Sequence, residues 1–166
     1  GGEKWARYSF LGSDPLMVLT AKDGRIRLRR GAGRAERLPD GDPLEAVRGL
    51  LKSFQPVAVP GLPRFQGGAV GYLAYDMVRY MERLPRTTRD DLRLPDAVFL
   101  LTDTLLVFDN LRHRLLVIAN AHLDKRDEAA LDQAYDAVAV RIGMTLAKLR
   151  HPARAPAPLS LAAQGP

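Results

Sequence analysis

The stretch from Phe65 to Pro85 most constrains this chain. It sets Gly67, Gly68 and Gly71 around the apolar run Ala69-Val70-Gly71-Tyr72-Leu73, then continues as Ala-Tyr-Asp-Met-Val-Arg-Tyr-Met-Glu-Arg-Leu-Pro. Paired glycines admit close backbone approach or unusual dihedrals. A short apolar run after them reads as a buried strand. Asp76 is placed to cap a helix running through Met77, Val78, Tyr80 and Met81. The glycine spacing matches neither a Walker nor a Rossmann fingerprint: no Gly-Lys-Ser/Thr is present, and no suitable strand precedes it. From the residues alone the turn is structural or ligand-lining, and a structural role is the simpler reading.

Around this stretch the chain reads as short elements joined by turns. Its 14 Gly and 12 Pro fall largely between apolar segments. Trp5 to Leu11 reads as a strand with Trp5, Arg7, Ser9 and Leu11 on one face and Ala6, Tyr8 and Phe10 on the other. Arg and Ser on one face can line a pocket for a carboxylate or zwitterion, and equally suit an edge strand with a solvated arginine. Leu16 to Ala21 is a second strand. Lys22-Asp23-Gly24-Arg25 is a hairpin turn, because its centre tolerates positive φ. The returning Arg25-Ile26-Arg27-Leu28-Arg29 alternates, with arginines to solvent and Ile26 and Leu28 to the core. Arg34 to Leu38 adds a short strand and completes a meander.

Asp42-Pro43-Leu44-Glu45 opens a helix with a cap, a first-turn proline and an acid matched to the dipole. Leu44, Val47, Leu50, Leu51 and Phe54 form its stripe. Val57 to Pro63 is a proline-punctuated connector, and residues 86–95 are a polar surface loop. Asp96–Leu101 and Thr104–Phe108 read as one strand or a bent pair. Asp109-Asn110 is a turn, and Arg114–Ala119 returns as a second hairpin. Its denser apolar run suits a central sheet position. Lys125 to Leu149 is a packing helix with Leu131, Tyr135, Val138, Ile142, Leu146 and Leu149 at steps of three or four. The segment 151–166 is rich in Ala and Pro and reads as a linker. The chain begins without methionine, which suggests a fragment or a trimmed chain, and the linker-like end suggests a second domain beyond Pro166.

With 166 residues, 46% of them hydrophobic, one real core is affordable. The absence of cysteine excludes thiolate chemistry and thiolate metal sites. Together with the lack of a signal peptide or transmembrane run, it makes the cytoplasm the expected location and membrane contact unexpected. The net charge of +6 invites a nucleic-acid reading. The arginines are dispersed among acids without any nucleic-acid motif, so a solvated basic surface is expected and nucleic acid is not. No Ser-His-acid order, nucleophile elbow or His-Glu metal motif occurs. His113, His122 and His151 have no evident reason to converge, and the Asp90-Asp91 pair lacks further metal ligands. The residues alone therefore give an α+β domain of antiparallel sheets packed with helices, a regulatory or interaction module rather than a complete enzyme.

Two stretches carry a resemblance. Trp5-Ala6-Arg7-Tyr8-Ser9-Phe10-Leu11-Gly12 and the whole of Phe65 to Pro85, with Asp103-Thr104 and Val107-Phe108-Asp109 in support, closely resemble the N-terminal region of anthranilate synthase component I. The likeness covers nearly the whole chain. It implies an enzyme that converts chorismate and ammonia to anthranilate and pyruvate in tryptophan biosynthesis, with ammonia supplied from glutamine by an amidotransferase subunit. It further implies that residues 1–150 form a non-catalytic regulatory domain, incomplete at its start, and that 151–166 lead toward a C-terminal chorismate-binding domain. Catalytic residues and Mg2+ would belong to that domain, with none in this chain, so the fragment alone would be inactive. L-tryptophan would act as feedback inhibitor at the interface, with Arg7 the candidate contact and Tyr8 and Ser9 lining or supporting it. Gly67, Gly68, Gly71, Tyr72 and Asp76 would be a structural motif. Aminodeoxychorismate synthase component I shares the Gly-Gly and Tyr-Asp pattern and stands as the alternative. A free-standing interaction module is the alternative outside the family.

Overall fold

In the computed structural model, residues 7–123 and 127–152 are described. In chain order they form β1 (Tyr8–Leu11), β2 (Met17–Lys22), β3 (Arg25–Arg30), β4 (Glu36–Arg37), α1 (Pro43–Lys52), β5 (Gly68–Leu73), a 3₁₀ helix (Tyr75–Tyr80), β6 (Ala97–Thr102), β7 (Thr104–Asp109), β8 (Arg114–Ala119) and α2 (Glu128–Arg150). Trp5, Ala6 and Lys125 lie outside the described residues, as does nearly all of the expected linker, residues 153–166.

The strands build two antiparallel sheets, one ordered β4-β3-β2-β6-β5 and the other β1-β7-β8. This is the expected α+β class. The β2–β3 hairpin closes where the sequence places it: Lys22 pairs with Arg25, and the two residues between them both have positive φ, Asp23 at 50° and Gly24 at 77°. Alternation decides which face of β3 is buried, with Ile26 and Leu28 inside and Arg25 and Arg27 out. Leu19, Ala21, Ile26, Leu28 and Ala97 form the core face of the larger sheet, covered by Val47 of α1 and Met77 of the 3₁₀ helix. Asp42 caps α1 by accepting from Leu44 N at 2.8 Å. The smaller sheet has its own core of Leu105, Val107 and Ile118, packed with Tyr8, Leu62, Phe65 and Leu116.

Four expectations need correction. First, the Ala69–Leu73 run is not buried. It belongs to β5, the edge strand of its sheet, where Val70, Tyr72 and Leu73 are 45–48% exposed. Second, Asp76 caps nothing. The residue at the cap position is Ala74, without a side-chain bond, and Asp76 instead accepts from Arg79 Nε at 2.9 Å. Third, the second hairpin is not central as a unit. β7 is the middle strand of the smaller sheet, β8 is its edge, and the apolar run preceding β7 is β6, an interior strand of the other sheet. Chain passes from one sheet to the other at Asp103. Fourth, α2 buries none of its residues. It leans on β8, while Leu131, Tyr135, Leu146 and Leu149 of the expected stripe stay 40–70% exposed. Arg141 ties it to Asp103 Oδ2 at 2.6 Å.

Candidate functional site

The candidate site forms where β1 joins β7. Antiparallel pairing sets Tyr8 opposite Asp109 and Ser9 opposite Phe108. Arg7, in the bend just before β1, turns its guanidinium onto Asp109. Nε donates to Oδ1 and Nη2 to Oδ2, both at 3.1 Å, a bidentate pairing. Asp109 is 1% exposed. Arg112 N also donates to it at 3.2 Å, and Arg114 Nε lies 3.5 Å away. The Arg7 bonds, aided by Arg112 N and the nearby cations against the cost of burial, pull its carboxyl down to about 2 from an ordinary 3.8.

The same guanidinium lies 4.8 Å over the Tyr8 ring. Tyr8 meets Phe10 at 6.2 Å, and Phe10 meets Phe65 edge-on at 5.5 Å. The two stretches singled out in the sequence are therefore joined through aromatic contacts. Ser9 stands apart: strand alternation turns it to the opposite face, where its Oγ accepts from Asn110 Nδ2 at 3.3 Å. The structure thus brings Arg7 and Tyr8 together and leaves Ser9 out. In the sequence Asp109 reads as a turn residue and as part of the resemblance, and its pairing with Arg7 is not visible there. The available signal was the arginine itself, a charged residue at the start of an otherwise largely apolar strand.

Linkage gives Asp109 a testable consequence. Its folded pKa lies below the unfolded value, so the unfolded state binds more protons between them, and stability falls as pH drops from about 4 to about 2. Asp109→Asn should remove that share of the acid sensitivity, leaving a flatter curve in thermal unfolding across a pH series. An unchanged curve would show that Arg7 does not hold this carboxylate ionised.

The glycine-rich stretch is a set of backbone contacts. An ideal Cβ on Gly71 would fall well inside contact distance of Val98 O and 2.8 Å from Phe99 Cα. Gly67, at φ +150°, would place one 2.5 Å from Asn120 Nδ2 and 3.0 Å from Thr102 O. Asn120 uses that nitrogen to bond Gln66 O at 2.6 Å and Asp103 O at 3.2 Å, holding the stretch to the passage between sheets. Gly68 also has positive φ, at 130°. Tyr72 OH donates to Pro95 O at 3.3 Å. Arg79 bonds Asp76 and also donates to Leu84 O at 3.3 Å and Pro85 O at 2.6 Å, folding the motif's end back on the 3₁₀ helix.

Tyr80 completes the arrangement. Its OH accepts from Gly24 N at 2.7 Å and lies 3.4 Å from Asp96 Oδ2, which accepts from Asp23 N at 2.8 Å. Burial, with Asp96 nearby, pushes the Tyr80 phenol up. Lys22 pairs with Asp90 at 2.5 Å and with Asp96 at 3.4 Å. The contact with Asp90 raises the lysine and lowers the acid. These are anchoring contacts at one end of the larger sheet, with no nucleophile aligned to a base.

A shallow apolar depression on α1, lined by Leu44, Val47, Arg48, Leu51 and Lys52, brings together no acid or imidazole. Among the described residues no three His, Asp or Glu side chains converge to hold a metal. No described helix is long and apolar enough to cross a membrane.

The family model described as chorismate binding enzyme matches residues 2–164. The chain belongs to the chorismate binding enzyme family. This family member is 40% identical over 138 residues to anthranilate synthase component 1 of Acetivibrio thermocellus, covering 83% of this chain and 28% of that relative. It is 38% identical over 154 residues to the Pseudomonas aeruginosa protein of the same name, covering 92% of this chain and 30% of that one. In three dimensions it matches anthranilate synthase component I from Streptococcus pneumoniae TIGR4 with a TM-score of 0.69 and 26% identity, over 90% of this chain and 31% of that chain. The family member thus spans less than a third of each relative's length.

Proposed function

We propose that this chain is the N-terminal, non-catalytic part of an anthranilate synthase component I. The parent enzyme converts chorismate and ammonia to anthranilate and pyruvate, a lyase reaction of tryptophan biosynthesis. A glutamine amidotransferase subunit delivers the ammonia. Magnesium and the catalytic groups belong to a C-terminal domain, toward which residues 151–166 lead from the 1–150 domain. The enzyme works in the cytoplasm. One observation carries this reading: 40% identity across 83% of this chain to a relative of which the match occupies only 28%.

In the same reading the parent is inhibited by L-tryptophan, and Arg7 and Tyr8 flank the inhibitor site. Asp109 holds the Arg7 guanidinium in one orientation while 26% of its side chain stays exposed, a preorganised cation suited to a carboxylate. Ser9 supports the strand from its other face.

Product identification tests the assignment: the full-length enzyme given chorismate, ammonia and magnesium forms anthranilate. Formation of aminodeoxychorismate would transfer the chain to that synthase. For the inhibitor site, Arg7→Ala raises the tryptophan concentration for half-inhibition by about tenfold or more, a loss of one good charged contact, while Ser9→Ala changes it little. Unchanged inhibition in Arg7→Ala would remove Arg7 from the site.

A further inference from the structure

The larger sheet buries one face and leaves the other open, and that open face is divided in two. Register lines its residues up in rows across the strands. One row runs Arg29, Val18, Leu100, Val70, and the next runs Arg27, Thr20, Val98, Tyr72, with Arg37 beyond Arg27. The β3–β4 side is cationic and the β6–β5 side is apolar.

Water is the wrong neighbour for the apolar half. An antiparallel sheet with one solvated face presents polar groups there, and β3 obeys. β5 and β6 do not. Leu100 lies on an interior strand, flanked by β2 and β5, so its 37% exposure opens through the face of the sheet. Its cross-strand neighbour Val70 is 48% exposed, and Tyr72 is 46% exposed.

Part of the cationic half lacks counter-charges of its own. Lys22 stands opposite Arg25, and Arg27 opposite Arg37, pairings of like charge that cost free energy. Lys22 and Arg37 are neutralised by Asp90 and Asp40. Among the described residues no carboxylate lies within ion-pair distance of Arg25 or Arg27. Carboxylates from outside would relieve the column.

We propose that this face docks an amphipathic helix, its apolar stripe on Val70, Tyr72 and Leu100 and its adjoining carboxylates against Arg25 and Arg27. From β3 to β5 is three strand spacings, about 14 Å, so a helix about 10 Å wide laid over β2 and β6 leaves only about 2 Å on each side for its own side chains to meet Arg25 and Arg27 on one flank and Val70 and Tyr72 on the other. The helix comes from the remainder of the parent polypeptide, because the match to the relatives leaves more than two thirds of their length outside it. This rests on the reading of the chain as part of a longer synthase.

The test uses the full-length enzyme with a photo-reactive benzoylphenylalanine in place of Leu100. The expected crosslink is intramolecular, to an Asp- or Glu-bearing helical peptide outside residues 1–166. A crosslink to a second copy or to the amidotransferase subunit, or none, would overturn the proposal. In parallel, the pair Arg25→Glu and Arg27→Glu should speed proteolysis of the intact enzyme by about tenfold, and reversing the crosslinked carboxylates to Lys should restore resistance. Failure to restore it would also overturn the docking. The product assay separates the two claims. Anthranilate without the crosslink defeats the docking alone, and the crosslink with aminodeoxychorismate defeats the synthase assignment alone.

Discussion

Gly71→Ala should cost more than about 3 kcal/mol, among the largest effects of any single methyl in this chain. The new Cβ would collide with Val98 O and stand 2.8 Å from Phe99 Cα. Both are backbone atoms of β6, an interior strand, so no rotamer change relieves the clash. β5 would have to leave β6 and give up a ladder running from Gly68 with Thr102 to Leu73 with Ala97. Domains of this size are held by about 5–15 kcal/mol, so the loss should show as poor soluble yield and a much lower urea midpoint. Gly49→Ala is the control: Gly49 lies within α1 with nothing within 4 Å of its Cβ position, and the change should be neutral or stabilise by about 0.5–1 kcal/mol. Equal behaviour of the two variants would refute the close approach of β5 to β6.

The second large effect separates the true core from the apparent one. Leu19→Ala, at a fully buried position between β3 and β6, should destabilise by about 3 kcal/mol in urea unfolding. Leu73→Ala, 45% exposed on the edge strand, should cost less than about 1 kcal/mol. Comparable losses would mean that the β5 run is packed as a core strand after all.

That contrast marks what the sequence could say. Elements whose signals are local were legible: the Asp-Gly hairpin, the alternation along β3 and the Asp42 cap all rest on a few adjacent residues. The glycine motif was legible as scaffold, since its spacing ruled out phosphate loops, but its reason was not. Gly71 answers to Val98 and Phe99, and Gly67 to Asn120 and Thr102, partners fixed only by the tertiary fold. A continuous apolar run looks the same in sequence whether its cover lies in the same chain or elsewhere, so β5 and the stripe of α2 read as buried. Asp76 had the residue type of a cap, yet Arg79 lies three residues on and takes it. At the candidate site, Arg7 was visible, while its partner Asp109 is 102 residues away, and neither its turn position nor its place in the resemblance shows that the two pair.

In the proposed function, these residues scaffold and regulate a catalytic part carried elsewhere in the parent chain. Anthranilate fluorescence during incubation with chorismate, ammonia and magnesium, compared between the full-length polypeptide and residues 1–166 alone, tests it most directly. Anthranilate is expected from the full-length polypeptide and none from residues 1–166. Chorismate turnover by residues 1–166 alone would contradict it.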